Sequence, residues 1–354
     1  MTAHLFEPVQ LGELKLANRI VMAPMTRSRA GEGDAPTALN VEYYRQRASA
    51  GLIISEGAQP SIHGKGYCRT PGIHTEAQIA GWRSVTDAVR AEGGSMVAQL
   101  MHCGRAGSRL NKDPGAETVA PSALRAKGEI YTDAAGMVEF DEPRALRLDE
   151  IAGVIGEYAH ATRSALTAGF DGVELHCTSG YLPAQFLSTG TNLRTDAYGG
   201  SVQNRIRFVI EALEAMIAVA GRGRVGMRIC PGNPFNDLHD DDPSETFAAL
   251  LDATRSLGIA YLHVVRSPRR DLDAIALARK HFGGPLIVND GYRQESAERV
   301  LAAGDAAAVS FGRAYLSNPD LVRRMREGIE LAVFDRTTLY TPGPKGYTDY
   351  PPAP

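Results

Sequence analysis

The sequence has few of the residues that mark secreted, metal-binding or membrane proteins. Its four cysteines, Cys68, Cys103, Cys177 and Cys230, are far apart, and none forms a C-x-x-C pair. This spacing makes a disulfide framework or a zinc site a poor interpretation and indicates reduced thiols in a cytoplasmic protein. The N-terminal stretch MTAHLFEPVQLGEL has neither the basic nor the apolar region of a secretory signal, which also favours a cytoplasmic location.

Strong charge and long apolar runs are lacking as well. The net charge is only -3, no basic stripe suggests nucleic acid, and no block of like charge suggests a tail. No run approaches the roughly 18 apolar residues of a membrane helix. We therefore expect no nucleic-acid partner and no membrane partner, whereas the apolar content of 44% is ample for a large core.

What the chain does contain is one type of unit, repeated. A short β-branched run is followed by a loop and then by an amphipathic stretch, and this happens eight times. Alternating strands and helices imply parallel pairing, and eight units fit a closed (β/α)8 barrel, the TIM-barrel form of the α/β class, better than an open sheet. We expect residues 1–354 to form this single domain, with strands in the runs RIVMAP (19–24), LIISEG (52–57), MVAQL (96–100), GVELH (172–176), VGMRI (225–229), YLHVV (261–265), PLIVND (285–290) and AAVSFG (307–312).

Two connections are longer than a barrel loop requires. One extends from about residue 102 to residue 148, after the third strand, and the other is the tail after Glu327. Loops that follow a strand lie at the active-site face of such a barrel, so we predict that 102–148 is a long capping segment. Between the strands, helical patterns predict helices at 38–50, 78–92, 149–168, 201–220, 245–256, 272–282, 295–303 and 318–327.

The last two strands end in residues that suit an anion. Strand seven ends in Asn289-Asp290-Gly291, and strand eight ends in Gly312-Arg313. Glycine lets backbone N–H groups approach an anion closely, and arginine adds a fixed cationic fork. This placement predicts a phosphate site, although glycines that only serve tight turns remain an alternative.

Arg228 and Gln99 are polar residues within apolar strands. A buried arginine has to be paired or has to face a ligand. Arg228 could form an internal salt bridge with Glu174 on the neighbouring strand, and Gln99 could be a satisfied core amide. Alternatively, both side chains face the barrel mouth, where a planar heterocycle with carbonyl and imide groups would satisfy both.

His176 and Tyr181 frame the loop after strand four, in the stretch ELHCTSGYLPAQF. Each could be structural on its own, but together they offer a hydrogen-bond donor and a general acid that can face one cavity. The eight runs contain no lysine, which excludes Schiff-base and pyridoxal phosphate chemistry there, and the scattered histidines make a metal-dependent hydrolase a poor fit. What remains is a phosphate-bearing cofactor with its own chemistry.

From about Leu5 to Pro351 the sequence resembles the old yellow enzyme family of FMN-dependent NAD(P)H:flavin ene-reductases. The resemblance rests on the runs NRIVMAPMTRSRA, YYRQRASAGLIISEG, KGYCRTPGIH, VAQLMHCGRAG, FLSTGTNLRTDAYGGSVQNRIRF, FGRAYLSNPDL and GYTDYP. It implies a tightly bound, non-covalent FMN across the barrel mouth, NAD(P)H as reductant, a small-molecule substrate, and a monomer or homodimer. The choice between NADPH and NADH is not readable, since no G-x-G-x-x-G follows a strand.

The resemblance also implies roles for individual residues. His176 would bind the substrate oxygen, and Tyr181 would protonate the α-carbon after hydride reaches the β-carbon of an α,β-unsaturated carbonyl or nitro compound. Arg228 and Gln99 would bind the pyrimidine edge of the flavin. The other implied cofactor contacts are Pro24, Met25, Thr26, Gly57, His176, Gly291, Tyr292, Gly312 and Arg313, and the implied substrate contacts are Thr26, Tyr67, Met101, Ser179 and Tyr347.

Two positions depart from the family pattern. The family's second oxygen-binding donor, His or Asn, aligns with Ser179, and its usual tryptophan after the third strand aligns with Met101. Serine is a shorter donor, so we expect weak activity on ordinary enones. The altered donor pair leaves open a specialised flavin-dependent dehydrogenase, isomerase or demethylase acting on one metabolite. A flavin-binding sensor or electron-transfer protein is a third hypothesis, against which the presence of Tyr181 argues.

Overall fold

The computed structural model describes residues 4–354, and its core is a closed barrel of eight parallel strands. Strands that follow one another along the barrel sequence are neighbours in space. The eighth strand pairs with the first through Val309 and Ile20, and this contact closes the ring. The predicted (β/α)8 barrel is confirmed, with strands β1 (Ile20–Met22), β2 (Leu52–Ile54), β3 (Met96–Leu100), β4 (Gly172–Cys177), β5 (Val225–Ile229), β6 (Tyr261–Val265), β7 (Leu286–Asn289) and β8 (Ala308–Phe311).

Alternation along each strand divides the side chains between the barrel interior and the surrounding helix layer. At the amino-terminal end the interior is apolar, and it packs against an N-terminal hairpin of Val9–Leu11 and Leu14–Leu16. Gly226 leaves room inside the barrel for the ring of Tyr261, with which a Cβ atom would clash. Toward the carboxyl end the inward side chains are polar, and they are Gln99, Glu174, His176, Arg228, His263, Asn289 and Ser310.

The helices surround the barrel, and capping residues define several of their ends. Asp242 caps the start of α6 with its side chain, and Gly258 (φ 64°) ends that helix in the left-handed conformation. The helix predicted at 38–50 ends at Arg45, because the chain turns there to bury Arg47, which donates to two backbone carbonyls of α9. The short helices α4 and α9 were not predicted. The helices are α1 (Ala38–Arg45), α2 (Glu76–Ala91), α3 (Leu148–Thr167), α4 (Leu182–Leu187), α5 (Val202–Ala220), α6 (Pro243–Leu257), α7 (Ala274–His281), α8 (Gln294–Ala302), α9 (Arg313–Ser317) and α10 (Leu321–Glu327).

The segment 102–148 contains two small two-stranded sheets. Val119–Ala120 pairs with Arg144–Ala145, and Glu129–Thr132 forms a hairpin with Gly136–Glu139. Buried apolar side chains of this segment form one cluster with Tyr181. The role of the segment as a cap, like the single-domain organisation of residues 1–354, stays a prediction.

The C-terminal segment (residues 328–354) is held against the barrel mouth by two arginines of the loop after β1. Arg27 donates to the carbonyl oxygen of Gly346 at 2.7 Å, and Arg29 donates to that of Thr338 at 2.7 Å. These contacts fix the backbone on both sides of Leu339. The segment therefore reaches the end of the barrel where the polar inward side chains lie.

Over residues 4–354, no helix combines the length and the hydropathy that a membrane crossing requires. In the same part of the chain, no three His, Cys, Asp or Glu side chains are grouped so that they could hold a metal ion. The four cysteines are buried and free. The thiols are thus neither cross-linked nor exposed at the surface.

Candidate active site

A cavity of about 1120 Å³ lies at the carboxyl end of the barrel. Small-molecule sites are typically about 300–1,000 Å³, so this cavity is large enough for a cofactor with a substrate. The loop ends of β1, β4, β5, β7 and β8 and the C-terminal segment form its wall. Eleven of the predicted site residues line it, namely Pro24, Met25, Thr26, His176, Ser179, Tyr181, Arg228, Gly291, Tyr292, Gly312 and Arg313.

Arg228 and His176 lie side by side as register partners on β5 and β4. Among the described residues Arg228 forms no ion pair with Glu174; its guanidinium contacts His263 Nε2 at 2.7 Å and donates to Asn289 Oδ1 at 2.9 Å. Burial, and then the Arg228 charge, lower the pKa of His176 well below its usual value, so its imidazole is neutral at pH 7. The Nδ1 atom of His176 is buried without a hydrogen-bond partner in residues 4–354.

Gln99 and His263 both bind Glu174, which is fully buried. The Gln99 amide donates to Glu174 Oε1 at 2.7 Å, and His263 Nδ1 lies 3.0 Å from Glu174 Oε2. Gln99 thus has a buried hydrogen-bond partner, as expected if it is a satisfied core amide. It is not among the residues that line the cavity. One of its amide hydrogens and its carbonyl oxygen remain for a second partner.

Tyr181, Tyr67 and Asn236 form a short hydrogen-bonded chain. The Tyr181 ring packs edge-on against the ring of His176, with centroids 4.8 Å apart. The hydroxyls of Tyr181 and Tyr67 are 3.2 Å apart, and the Asn236 amide donates to the Tyr67 oxygen at 3.4 Å. Burial raises the pKa of Tyr67 to about 12 and that of Tyr181 well above its usual value. Tyr181 therefore keeps its proton at the cavity wall, and Tyr67 lies behind it rather than on the wall.

Ser179 lies in a tight loop that a neighbouring loop supports. Its backbone is left-handed (φ 59°), as is that of Gly180 (φ 72°). The Asn236 amide donates to the carbonyl oxygen of Ser179 at 2.8 Å. A Cβ atom on Gly180 would lie 2.6 Å from the carbonyl oxygen of Phe235, so this approach requires glycine. Ser179 thus occupies a conformation that asparagine adopts more readily than serine.

Gly57, Met101 and Tyr347 do not line the cavity. Gly57 faces Met101, and a Cβ atom on Gly57 would lie 2.5 Å from the Met101 sulfur. Met101 is buried in the cluster that contains Tyr181. Tyr347 is fully buried and stacks on Tyr43, with ring centroids 4.0 Å apart. The structure does not bring Tyr347 to the substrate side, because the C-terminal segment turns this ring into the core.

One part of the cavity wall carries the residues predicted to bind phosphate. Gly291 has a left-handed backbone (φ 71°), and Arg313, the first residue of α9, pairs with Asp290 at 3.0 Å. Arg266, which the sequence did not single out, stacks 4.0 Å above the ring of Tyr292. A Cβ atom on Gly291 would lie 3.6 Å from the Arg266 guanidinium. Positive charge from two arginines is therefore available beside this glycine.

Other residues of the site were given no role from sequence. They include His263, Asn289 and Ser310, which are inward polar side chains in apolar strands. The same pattern, a polar residue within an apolar strand, indicated a role for Arg228. Phe235 and Leu339 line the cavity from loops. No local pattern identifies these two, because tertiary contacts alone decide where their loops lie.

Comparison with known proteins decides the family. The model of the NADH:flavin oxidoreductase / NADH oxidase family matches residues 4–332. The chain belongs to this family, the old yellow enzymes. It is an FMN-dependent oxidoreductase of the ene-reductase type that takes its electrons from NAD(P)H.

Relatives of this old yellow enzyme span its whole length. A probable flavin mononucleotide-dependent alkene reductase from Leishmania infantum is 41% identical and covers 98% of this chain and 97% of its own. An old yellow enzyme homologue from Zymomonas mobilis has a TM-score of 0.94 and 41% identity over 98% of this chain and 99% of that one. Morphinone reductase in complex with tetrahydroNAD has a TM-score of 0.94 and 43% identity over 99% of this chain and 98% of its own.

The side chains of the cavity fit FMN. The Arg228 guanidinium on the cavity wall and the Gln99 amide in the barrel interior, both held by buried partners, suit the carbonyl and imide groups of a pyrimidine ring. Arg313 and the backbone of Gly291 suit a phosphate. The buried Nδ1 atom of His176 is a polar atom that a bound ligand can satisfy. The donor set thus agrees with the cofactor of the family.

Proposed function

We propose that this old yellow enzyme reduces activated alkenes, namely α,β-unsaturated carbonyl or nitro compounds, with Tyr181 as the proton donor. The observation that carries the proposal is the edge-on contact of the His176 and Tyr181 rings, 4.8 Å apart, on the cavity wall. One ring offers an N–H group to a substrate oxygen, and the other offers a proton beside it. The name of the Leishmania infantum relative, an alkene reductase, supports the same reaction.

The chemistry that FMN supplies when bound is hydride transfer from NAD(P)H to the β-carbon of the alkene. Arg228 and Gln99 hold its pyrimidine edge, and an arginine there stabilises negative charge that collects on that edge. Arg313 holds its phosphate. The proposed cofactor contacts are Pro24, Met25, Thr26, Gly57, Gln99, His176, Arg228, Gly291, Tyr292, Gly312 and Arg313.

The proton donor is prepared by its neighbours. The Tyr181 hydroxyl donates to the Tyr67 oxygen at 3.2 Å, and the Asn236 amide donates to the same oxygen at 3.4 Å. Rotation of the Tyr181 hydroxyl about its C–O bond turns this hydrogen from Tyr67 toward the cavity, where it can reach the α-carbon of the substrate. Thr26 and Ser179 complete the substrate wall, and Met101 supports Tyr181 from behind.

We further propose that residues 102–148 cap this site within a single domain. Arg105 of the segment donates to the carbonyl oxygen of Asp237 at 2.6 Å and so ties the segment to the loop after β5. The apolar cluster with Tyr181 excludes water from the back of the proton donor. We expect a cytoplasmic monomer or homodimer that acts on a small molecule and binds no nucleic acid.

A second candidate function is that of a specialised dehydrogenase, isomerase or demethylase acting on one metabolite. The observation that favours it is Ser179, whose short hydroxyl replaces the His or Asn donor of the family and lines the cavity. A shorter donor leaves more room beside His176, which suits a bulkier substrate.

The proposed reaction is tested with NADPH that carries deuterium at both C4 positions and with cyclohexenone. We expect saturated product with deuterium at the β-carbon and a solvent-derived hydrogen at the α-carbon. Absence of deuterium from the β-carbon would overturn the proposed reaction. Product that is isomerised, with no NADPH consumed, would favour the second candidate.

A further inference from the structure

Glu174 is fully buried inside the barrel and is connected to both residues that we place at the pyrimidine edge. Its Oε1 atom accepts the Gln99 amide at 2.7 Å, and its Oε2 atom lies 3.0 Å from His263 Nδ1. An amino group of Arg228 lies 2.7 Å from His263 Nε2 and 3.1 Å from Nδ1, and Nε2 also lies 2.7 Å from the hydroxyl of Ser310. One carboxylate therefore contacts Gln99 directly and Arg228 through His263.

The direction of each hydrogen bond follows from the donors available. Despite its burial, the pKa of Glu174 is lowered by His263, so this ionised carboxylate can only accept, and the ring proton of His263 must lie on Nδ1. Nε2 is then the ring acceptor for the N–H group of Arg228. Burial, and then the Arg228 charge, lower the pKa of His263 to about 4, so the ring is neutral at pH 7. Glu174 thus selects the tautomer of His263, and that tautomer presents an acceptor to Arg228.

The far side of the guanidinium is fixed as well. Its second amino group donates to Asn289 Oδ1 at 2.9 Å, and the Asn289 amide donates to the carbonyl oxygen of Ser310 at 3.0 Å. Held on both sides, Arg228 still has further N–H groups for a partner in the cavity that it lines. The orientation of Arg228 therefore depends on His263 keeping its acceptor.

We propose that Glu174 is a positioning residue that orients Gln99 and Arg228 for the pyrimidine edge and thereby sets the affinity and the reduction potential of FMN. This inference rests on the proposed placement of that edge. A positioning role for Glu174 and a purely electrostatic role predict shifts of opposite sign in the midpoint potential of FMN. A bare negative charge opposes reduction of the cofactor, so its removal would raise the midpoint potential. Loss of positioning turns Arg228 away from the edge, so it lowers the midpoint potential.

The test is Glu174→Gln, with the FMN dissociation constant measured for both redox states. The substitution keeps the shape but removes the charge, and it leaves one acceptor oxygen for two donors, the Gln99 amide and the Nδ1 hydrogen of His263. Orienting partners of this kind are worth about 10–100-fold in affinity at ligand sites. We expect oxidised FMN to bind about tenfold more weakly and reduced FMN about a hundredfold more weakly, so that the midpoint potential falls by about 30 mV for a two-electron couple.

The matched control is Glu157→Gln on α3. Glu157, which is only partly buried, likewise accepts a short hydrogen bond, from Ser61 at 2.7 Å, but it lies outside the barrel interior. We expect this variant to leave both dissociation constants and the potential unchanged. A Glu174→Gln protein with unchanged or raised potential would overturn the positioning role.

Two further variants keep the inference testable if Glu174→Gln fails to fold. In His263→Gln the amide can still donate to Glu174 and accept from Arg228, so its midpoint potential should shift less than that of His263→Leu. Equal shifts would overturn the inference.

Arg228→Lys tests whether the pyrimidine edge of FMN lies at Arg228. If this variant changes neither FMN affinity nor potential, the pyrimidine edge does not lie at Arg228.

Discussion

His176 and Tyr181 are neighbouring, buried and uncharged side chains, and their protonation states decide what each can do. The imidazole of His176 is neutral at pH 7, so it can donate one hydrogen bond to an oxygen without adding a full positive charge. The phenol of Tyr181 keeps its proton because burial raises its pKa. Such a weak acid gives up its proton only to a strong base, such as a carbon that has just gained electron density.

Tyr181→Phe should slow re-oxidation of the reduced enzyme by cyclohexenone by about 10²–10⁴-fold, which is the usual contribution of a general acid. Reduction by NADPH should keep its rate, because that step needs no proton from Tyr181. Tyr67→Phe is the matched control, since it removes only the hydroxyl that contacts Tyr181 at 3.2 Å. Single-turnover rates of each half-reaction would show this, and equal losses in the two variants would contradict the assignment of the donor.

Ser179→Asn should raise kcat/KM for cyclohexenone by roughly 10-fold or more, because removal of one such donor costs about 10²–10³ in other enzymes. The left-handed backbone of Ser179 (φ 59°) also suits asparagine. Ser179→His should act in the same direction. If neither variant is faster, or binds phenolic ligands more tightly, the shorter donor is not what limits this enzyme.

Among the elements, the C-terminal segment is the one whose position depends most on a single glycine. A Cβ atom on Gly346 (φ 68°) would clash with the side chain of Thr338, whereas one on Gly343 (φ 81°) would meet no atom within 4 Å. Both alanine variants strain the backbone by about 1–2 kcal/mol. Gly346→Ala adds an overpacking cost of about 1–3 kcal/mol, so it should lower Tm more than Gly343→Ala.

Gly346→Ala should also weaken FMN binding, because the displaced segment carries Leu339 on the cavity wall. Titration of the apoprotein with FMN measures this effect. Equal Tm values and equal dissociation constants for the two alanine variants would show that the segment does not support the site.

The barrel strands were predictable because each one is a short apolar run buried on both faces, and such runs carry their own signal. The end of α1 was not predictable, because it depends on hydrogen bonds from Arg47 to backbone carbonyls of α9, which are distant in sequence. The short helix α4 also escaped prediction. It has only six residues, which is too few for a helical period to appear.

The site was predictable where it is built from strand ends and much less so where it is built from loops. Fold and register alone place His176 beside Arg228. The partners inside the barrel follow from three-dimensional distances, and so His263 rather than Glu174 contacts Arg228. Tyr347 is a different case, because the resemblance implies a substrate contact there. In the structure its ring lies in the core, stacked on Tyr43, and does not line the cavity.

The stability of the whole molecule should depend on pH through Glu56, which is buried beside the backbone of Arg27. Burial raises its pKa to about 7. In the unfolded chain this carboxyl titrates near 4.3, so between about pH 4 and 7 the folded state binds the extra proton. The free energy of unfolding therefore falls as pH rises through this window, by about 4 kcal/mol at most from this group.

Glu56→Gln should remove that contribution. The difference in free energy of unfolding between the variant and the unmodified protein should grow in favour of the variant from pH 5 to pH 8. Urea titrations at several pH values measure the difference directly. Parallel curves for the two proteins across this range would show that Glu56 titrates normally.

In the complete enzyme, we expect nicotinamide and alkene to react in turn at one cofactor. Anaerobic stopped-flow mixing of the FMN-loaded protein with NADPH or NADH, followed by cyclohexenone or a nitroalkene, tests it most directly. We predict that a nicotinamide bleaches the flavin absorbance and that the alkene then restores it. No bleaching with either nicotinamide, or a bleached protein that neither alkene re-oxidises, would contradict the account.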